Sequence, residues 1–248
     1  MVKQNLIDLI RVWWRAFFIQ STWNNERMMN LGFCFCLLPR MPKLFNTESE
    51  KYKFVKRHME YFNTHPYMAS FIIGAVLKME ESGAGSASVN LDQINKFKQR
   101  LSGPLGAVGD QLFWKQIKCV ATFIGILCYI LFQNAYGVIL FLLIYNLPHL
   151  VIQTRGLWLG YRLGENLIKK FSFKIFFDYI KSFEKLAIFL IGVLMGSWLI
   201  GSDSFRWVEV LAFFLGGVTM FLVLRLKSSV PAGLLWIVTG AAIIGFLL

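Results

Sequence analysis

Residues 119–152 read CVATFIGILCYILFQNAYGVILFLLIYNLPHLVI, and this stretch decides the fold. Gln133-Asn134 and Gly137 interrupt an otherwise apolar tract. As one helix rising 1.5 Å per residue it would be about 50 Å long, well beyond the ~30 Å of a bilayer's hydrocarbon core. The tract must therefore turn, and it predicts two antiparallel helices. Three further apolar runs follow, Leu186–Gly201, Val208–Leu224 and Val230–Leu248. Between the hairpin and the first of these lie seven Lys/Arg against three acids, and Arg225 and Lys227 separate the last two runs. The loop from Ser202 to Arg206 is nearly neutral. Basic loops stay on the cytoplasmic side, so the alternation predicts five crossings, a cytoplasmic N-terminus and a C-terminus outside.

Composition agrees with a membrane protein. The chain has 248 residues, 56% apolar and 16% charged, with 24 Phe; soluble domains carry nearer 25% charge. The net charge of +12 is concentrated beside apolar runs. That places it against an anionic lipid surface and excludes nucleic acid as its partner. Cys34 and Cys36 have no second pair of matching spacing, and Cys119 and Cys128 lie in the apolar tract, so all four read as small buried hydrophobes and not as a metal site. No signal peptide is read at the N-terminus, because Asp8, Arg11 and Arg15 interrupt its apolar stretch.

The chain ahead of the tract is different in kind. Residues 5–19 place Leu6, Ile7, Ile10, Trp13, Trp14, Phe17 and Phe18 around Asp8, Arg11 and Arg15. At 100° per residue the charges gather on one side, which predicts a helix lying in the bilayer interface or packed on its own protein. Trp23, Arg27 and Asn30 recur at helical spacing. Residues 46–61 are charged and read as cytosolic. Tyr67–Leu77 is too short to span and predicts a re-entrant or buried helix. A flexible loop over Ser82–Asn90 and a polar helix over Leu91–Leu101 follow. The fold class is therefore an all-α integral membrane protein. Residues 1–118 form an interfacial and re-entrant segment, 119–248 form the transmembrane region, and the two make one integrated unit.

Polar groups gather just before the tract, in Phe62-Asn-Thr-His-Pro-Tyr67, Gly103-Pro104 and Gly109-Asp-Gln-Leu-Phe-Trp114. A carboxylate this close to hydrocarbon costs about 2.5–3.5 kcal/mol unless it has a partner or a polar cavity. Asp110 either accepts from ligand hydroxyls or caps the helix that runs from Phe113. Asn63 either reads hydroxyls or, with Thr64, caps the helix opened by Pro66. Trp114 is a ring-stacking platform or a headgroup-level anchor. Glu26 and Arg27 form an ion pair lining the path or an ordinary interfacial pair. His65 has no nucleophile or acid spaced with it, so no catalytic residue is assigned. Amide, carboxylate and indole together suit a sugar.

The motifs Trp23-Asn-Asn-Glu-Arg-Met28, Leu31-Gly-Phe-Cys34, Phe62-Asn-Thr-His-Pro66, Glu80-Glu81, Gly103-Pro104-Leu105, Gly109-Asp110 and Phe113-Trp114 stand in an order that resembles the D subunits (IID) of the mannose/fructose/sorbose-type phosphotransferase system. Gly160-Tyr161 with Gly164, and Leu224-Arg225-Leu-Lys227, resemble that family too, so the resemblance covers nearly the whole chain. It implies a permease subunit that pairs with a polytopic C subunit (IIC) as a heterodimer, three of which assemble in the cytoplasmic (inner) membrane. Soluble IIA and IIB phosphocarriers phosphorylate the hexose, amino sugar or related substrate as it arrives. The D subunit is not itself phosphorylated and needs no cofactor. The substrate-binding residues expected are Asp110, Asn63, Glu26, Asn24, His65 and Trp114. The chain departs from the family pattern at Gln111, Lys115-Gln116 and Lys118-Cys119, and in its short 201–207 loop; these differences bear on which sugar is handled.

Overall fold

The computed structural model describes residues 6–84 and 91–201. They belong mainly to the first of two compact units, Met1–Gly192; the second begins at Val193. The runs at 208–224 and 230–248 and the neutral loop at 202–206 lie outside the described residues. Their α-helices are α1 (Leu6–Ala16), α2 (Asn30–Leu37), α3 (Met41–Leu44), α4 (Glu48–His58), α5 (Ala69–Gly83), α6 (Leu91–Gly109), α7 (Lys118–Phe132), α8 (Tyr136–Leu163), α9 (Leu167–Lys170) and α10 (Phe173–Gly201), and no strand longer than an isolated bridge occurs among the described residues. Residues Asp110–Ile117 form a π-helical segment that joins α6 to α7 without a break.

The hairpin forms where the sequence places it. Gln133 stops α7 in the left-handed conformation, φ 51°. The Asn134 side chain then accepts from the Tyr136 amide at 2.9 Å and starts α8. Gly125 and Gly137 let the two backbones meet near the turn, since a Cβ on Gly125 would lie 3.0 Å from the Gly137 carbonyl oxygen. Two helical stretches among the described residues, Gln93–Phe132 and Tyr136–Lys170, are long and apolar enough to cross a membrane. Val138, Ile139, Leu142, Leu143 and Leu147 along α8 are all exposed. In water that row would be a severe liability; against lipid it is the expected surface.

The core lies around α5, whose residues from Ala69 to Leu77 are all buried. Between the two alternatives for Tyr67–Leu77, the structure shows a buried helix. It packs backbone to backbone on α8. A Cβ on Gly160 would run into the Phe71 carbonyl oxygen, and one on Gly74 would stand 2.7 Å from the Tyr161 amide. Small residues at such crossings replace the hydrophobic drive that is missing between helices in lipid. α4 is set by its own sequence: Thr47 and Glu50 form a reciprocal capping box, with acids in the first turn and Lys56, Arg57 and His58 in the last.

The first helix corrects an expectation. Asp8 does not join Arg11 and Arg15 on the outer side of α1; it is fully buried with Leu9, Val12 and Ala16. Its carboxylate accepts from Arg40 at 2.8 Å and from Lys43 at 2.6 Å. Although burial opposes it, hydrogen bonding from those two cations holds the carboxyl below its usual range. Arg40 also pairs with Glu81, which in turn accepts from the Tyr161 hydroxyl at 2.5 Å. This clasp ties α1, the α3 turn, α5 and α8 together. Trp13 adds a bond from its indole to Thr154 at 3.0 Å.

Candidate functional site

The loop before α5 and the exposed face of α6 enclose a cavity of about 430 Å³. Its wall includes Trp23, Asn63, Thr64, His65, Asp110 and Trp114. The spacing of Ser102, Gly106, Asp110 and Trp114 puts them on one helical face, provided the helix continues through Asp110. It does, and in doing so it widens. π turns inside a longer helix recur at functional sites, and this one opens at Asp110.

The glycines set the distance between the two walls. At Gly109 a Cβ would collide with the His65 ring and stand 2.9 Å from its Nδ1. At Gly106 the nearest atoms, in Thr64 and His65, are 3.6 Å away, and at Gly103 there is open space. Of the three, only Gly109 thus depends strictly on glycine for the approach. Thr64 fastens the loop to the helix by donating to the Ser102 carbonyl at 2.8 Å.

His65 is 1% exposed and lies flat on Phe113, with centroids 5.2 Å apart. Its Nδ1 accepts from the Tyr67 amide at 3.3 Å, which leaves the proton on Nε2. That Nε2 has no protein partner among the described residues. Burial pushes the imidazole pKa down to about 4, so the ring is neutral at pH 7. Neither the Asn63 amide nor the Asp110 carboxylate has a hydrogen-bond partner from its side chain among the described residues. The cavity therefore presents an amide and a carboxylate beside the half-exposed Trp114 ring, with the buried His65 ring forming part of its wall.

Two capping alternatives are overturned. Asp110 cannot cap a helix starting at Phe113, because it sits inside an unbroken helix. Neither Asn63 nor Thr64 caps α5, whose N-cap position is Met68 and has no side-chain cap.

Four of the six expected binding residues, Asn63, His65, Asp110 and Trp114, share this cavity, while Asn24 and Glu26 do not line it. Asn24 organises its own loop. Its backbone exchanges two 3.0 Å bonds with Met28, and its amide donates to Asn30 at 2.9 Å. The loop in turn holds Phe62 through the Met29 amide and the Arg27 carbonyl, so Asn24 acts on the cavity by placing the segment that carries Asn63. Glu26 is exposed and, among the described residues, makes no ion pair with Arg27. Arg27 instead donates to the Met59 carbonyl at 3.2 Å.

One network escaped sequence reasoning. Glu80 accepts from Arg57 Nε at 2.5 Å and Nη2 at 2.9 Å, and lies 2.9 Å from His58 Nε2. Burial opposes ionisation of Glu80, but the hydrogen bond from Arg57 keeps its pKa below the ordinary value. Burial likewise drives His58 to about 4. Lys98 donates to the Arg57 carbonyl at 3.2 Å from α6. Adjacent acids at 80 and 81 in an apolar helix were the visible signal, since each needs a cation.

The chain is similar to known proteins in both sequence and fold. Residues 5–210 match the family described as the PTS system mannose/fructose/sorbose family IID component. The mannose-specific EIID component of Escherichia coli K12 is 33% identical over 193 residues, 77% of this chain and 68% of that one. The sorbose-specific EIID component of Klebsiella pneumoniae is 31% identical over 191 residues, 77% and 69% of the two chains. Among solved structures, a cryo-EM complex of the mannose transporter ManYZ with microcin E492 is similar at TM-score 0.63 and 28% identity, covering 100% of this chain and 97% of that one. Another, described as a membrane protein, reaches 0.76 at 28% identity, covering 99% and 96%. The chain belongs to the mannose/fructose/sorbose family of phosphotransferase-system IID components, subunits of a sugar uptake system.

Proposed function

We propose that this chain is the IID half of a membrane permease and that the cavity beneath Asp110 faces the sugar's route. The observation that carries this reading is the convergence of Asn63, His65, Asp110 and Trp114 on one space of about 430 Å³. That volume falls in the range of small-ligand sites. An amide and a carboxylate match neighbouring hydroxyls, and Trp114 covers the apolar side of a pyranose. The substrate class is a hexose, an amino sugar or a related compound.

The partner is a IIC membrane subunit, paired as a heterodimer that assembles threefold. Soluble IIA and IIB carriers supply the phosphate, and the IID chain transports without catalysing and without being phosphorylated. Residues 1–118 form the interfacial part and 119–248 the membrane part of one integrated body. It sits in the cytoplasmic membrane with five short crossings, its N-terminus inside and its C-terminus outside. Asn24 and Glu26 belong to the site indirectly, through the loop that positions Phe62.

The test is uptake in a strain lacking its other sugar permeases and supplied with this chain and its IIC, IIA and IIB partners. One or more aldohexoses or amino sugars should accumulate as phosphates. If none does while the complex is present in the membrane, the proposal fails.

A further inference from the structure

We propose that the chain holds the phosphate of an anionic phospholipid in a second cavity, bounded by Leu9, Lys78, Trp158, Tyr161 and Arg162. This inference rests on the membrane reading given above. The cavity measures about 370 Å³ and contains two cations and no carboxylate.

Charge accounting leaves both of these cations free for an outside anion. In the neighbouring clasp Asp8 pairs with Arg11, Arg40 and Lys43, and Glu81 with Arg40, so both carboxylates are already engaged by other cations. Lys78 and Arg162 are left without an ion-pair partner among the described residues. Uncompensated cations converging on one cavity make an anion site, and phosphate is the anion such pairs suit.

Lys78 is also pre-placed. Gly164 ends α8 at φ 55°, and a Cβ there would stand 3.2 Å from Lys78 Cγ, so the backbone packs on the lysine stem. The ammonium lies 5.7 Å from the Tyr161 ring centroid. A positioned lysine loses less side-chain freedom on binding than a free one.

The surroundings favour a lipid over a free anion. Trp158 is 41% exposed and stands near the end of the Tyr136–Lys170 stretch, where a membrane-crossing helix places indole rings at headgroup depth. Leu9 brings α1 to the rim, and Leu6, Ile7, Ile10 and Trp14 on that helix are exposed. A phosphate held between Lys78 and Arg162 thus has an apolar helix beside it for its acyl chains. A choline headgroup would bring its own positive charge to the same two cations, so the site selects against zwitterionic lipid.

The experiment is native mass spectrometry of the IID–IIC complex released from bilayers of equal phosphatidylglycerol and phosphatidylcholine. The wild-type complex should retain phosphatidylglycerol at least fivefold over phosphatidylcholine. Lys78→Gln with Arg162→Gln should bring that ratio close to one, and Lys78→Arg with Arg162→Lys should restore it. An unchanged ratio in the Gln pair, or release of the lipid by millimolar inorganic phosphate alone, overturns the proposal. A complex that inserts and transports sugar without any lipid preference refutes this site only; failure to enter bilayers at all refutes the functional reading beneath it.

Discussion

His65 and Phe113 stack with their planes 17° apart, and through that contact a loop and a helix distant in sequence share one wall of the cavity. The imidazole is held edge-on as well, with Tyr67 at 4.9 Å and 77°. A ring packed on two sides cannot swing, so its Nε2–H has a fixed direction.

Asp110→Asn should abolish most sugar uptake while leaving copurification with IIC intact. The side chain lies inside a continuous helix and makes no cap, so its loss removes no helix-terminating bond. Asn keeps the shape but forfeits the charge, weakening each hydroxyl contact by roughly 1 kcal/mol. Uptake measured beside copurification decides the matter, and wild-type uptake would remove Asp110 from the site.

Gly109→Ala and Gly103→Ala should behave oppositely. The first forces a methyl into the His65 ring, an overpacking that costs about 1–3 kcal/mol. The second meets open space and changes a helical glycine to alanine, a gain of up to about 1 kcal/mol. Thermal unfolding of the complex should fall by several degrees for Gly109→Ala and hold or rise for Gly103→Ala. Equal effects would show that the loop does not lie against the helix as described.

Glu80→Ala should be among the most damaging single changes outside the cavity. It strands the buried Arg57 guanidinium, and breaking one half of a buried pair costs about 3–5 kcal/mol. Glu80→Gln, which keeps an acceptor, should lose less. Protein recovered from membranes in the folded complex is the readout, and an undiminished yield for Glu80→Ala would contradict the network.

Acid should destabilise the fold progressively below neutrality. His58 and His65 take their protons near pH 4 in the folded chain and near 6.5 once unfolded. The unfolded state therefore binds more protons between those values, and stability present above pH 6.5 is lost as pH falls toward 4. Glu80, depressed below 4.5 by Arg57, contributes in the same direction at lower pH still. Each histidine accounts for at most about 3 kcal/mol. Unfolding midpoints at pH 7.5 and 5.0 should differ clearly, and His58→Gln should remove about half of the difference. A flat profile would mean that these rings are solvated.

The sequence made some features readable and hid others for identifiable reasons. The turn at Gln133 was legible because a polar pair interrupts a tract too long for one crossing. The burial of α5 was one of two readings left open by its length. Asn63, His65, Asp110 and Trp114 were legible as a polar set ahead of the tract, but their meeting in one cavity depends on the approach of the 62–66 loop to Gly109. Asp8 was misplaced because a helical wheel scores charge as outward, and its partner Arg40 stands 32 positions away. The π segment was also hidden: Asp110 before Phe113-Trp114 looks like a cap unless the helix is known to continue through it. Glu26 was misjudged by adjacency to Arg27, whose guanidinium goes to a backbone carbonyl instead.

The contact between α5 and α8 also limits how the protein can move. Helices slide past each other on a cushion of interchangeable side-chain rotamers. Between Gly74, Gly156 and Gly160 that cushion is missing, since main chain rests on main chain and on the Phe71 ring. The two helices are welded, so any displacement that accompanies transport must carry them together as one lever. Its play has to come from seams elsewhere, where side chains and not main chain make the contact.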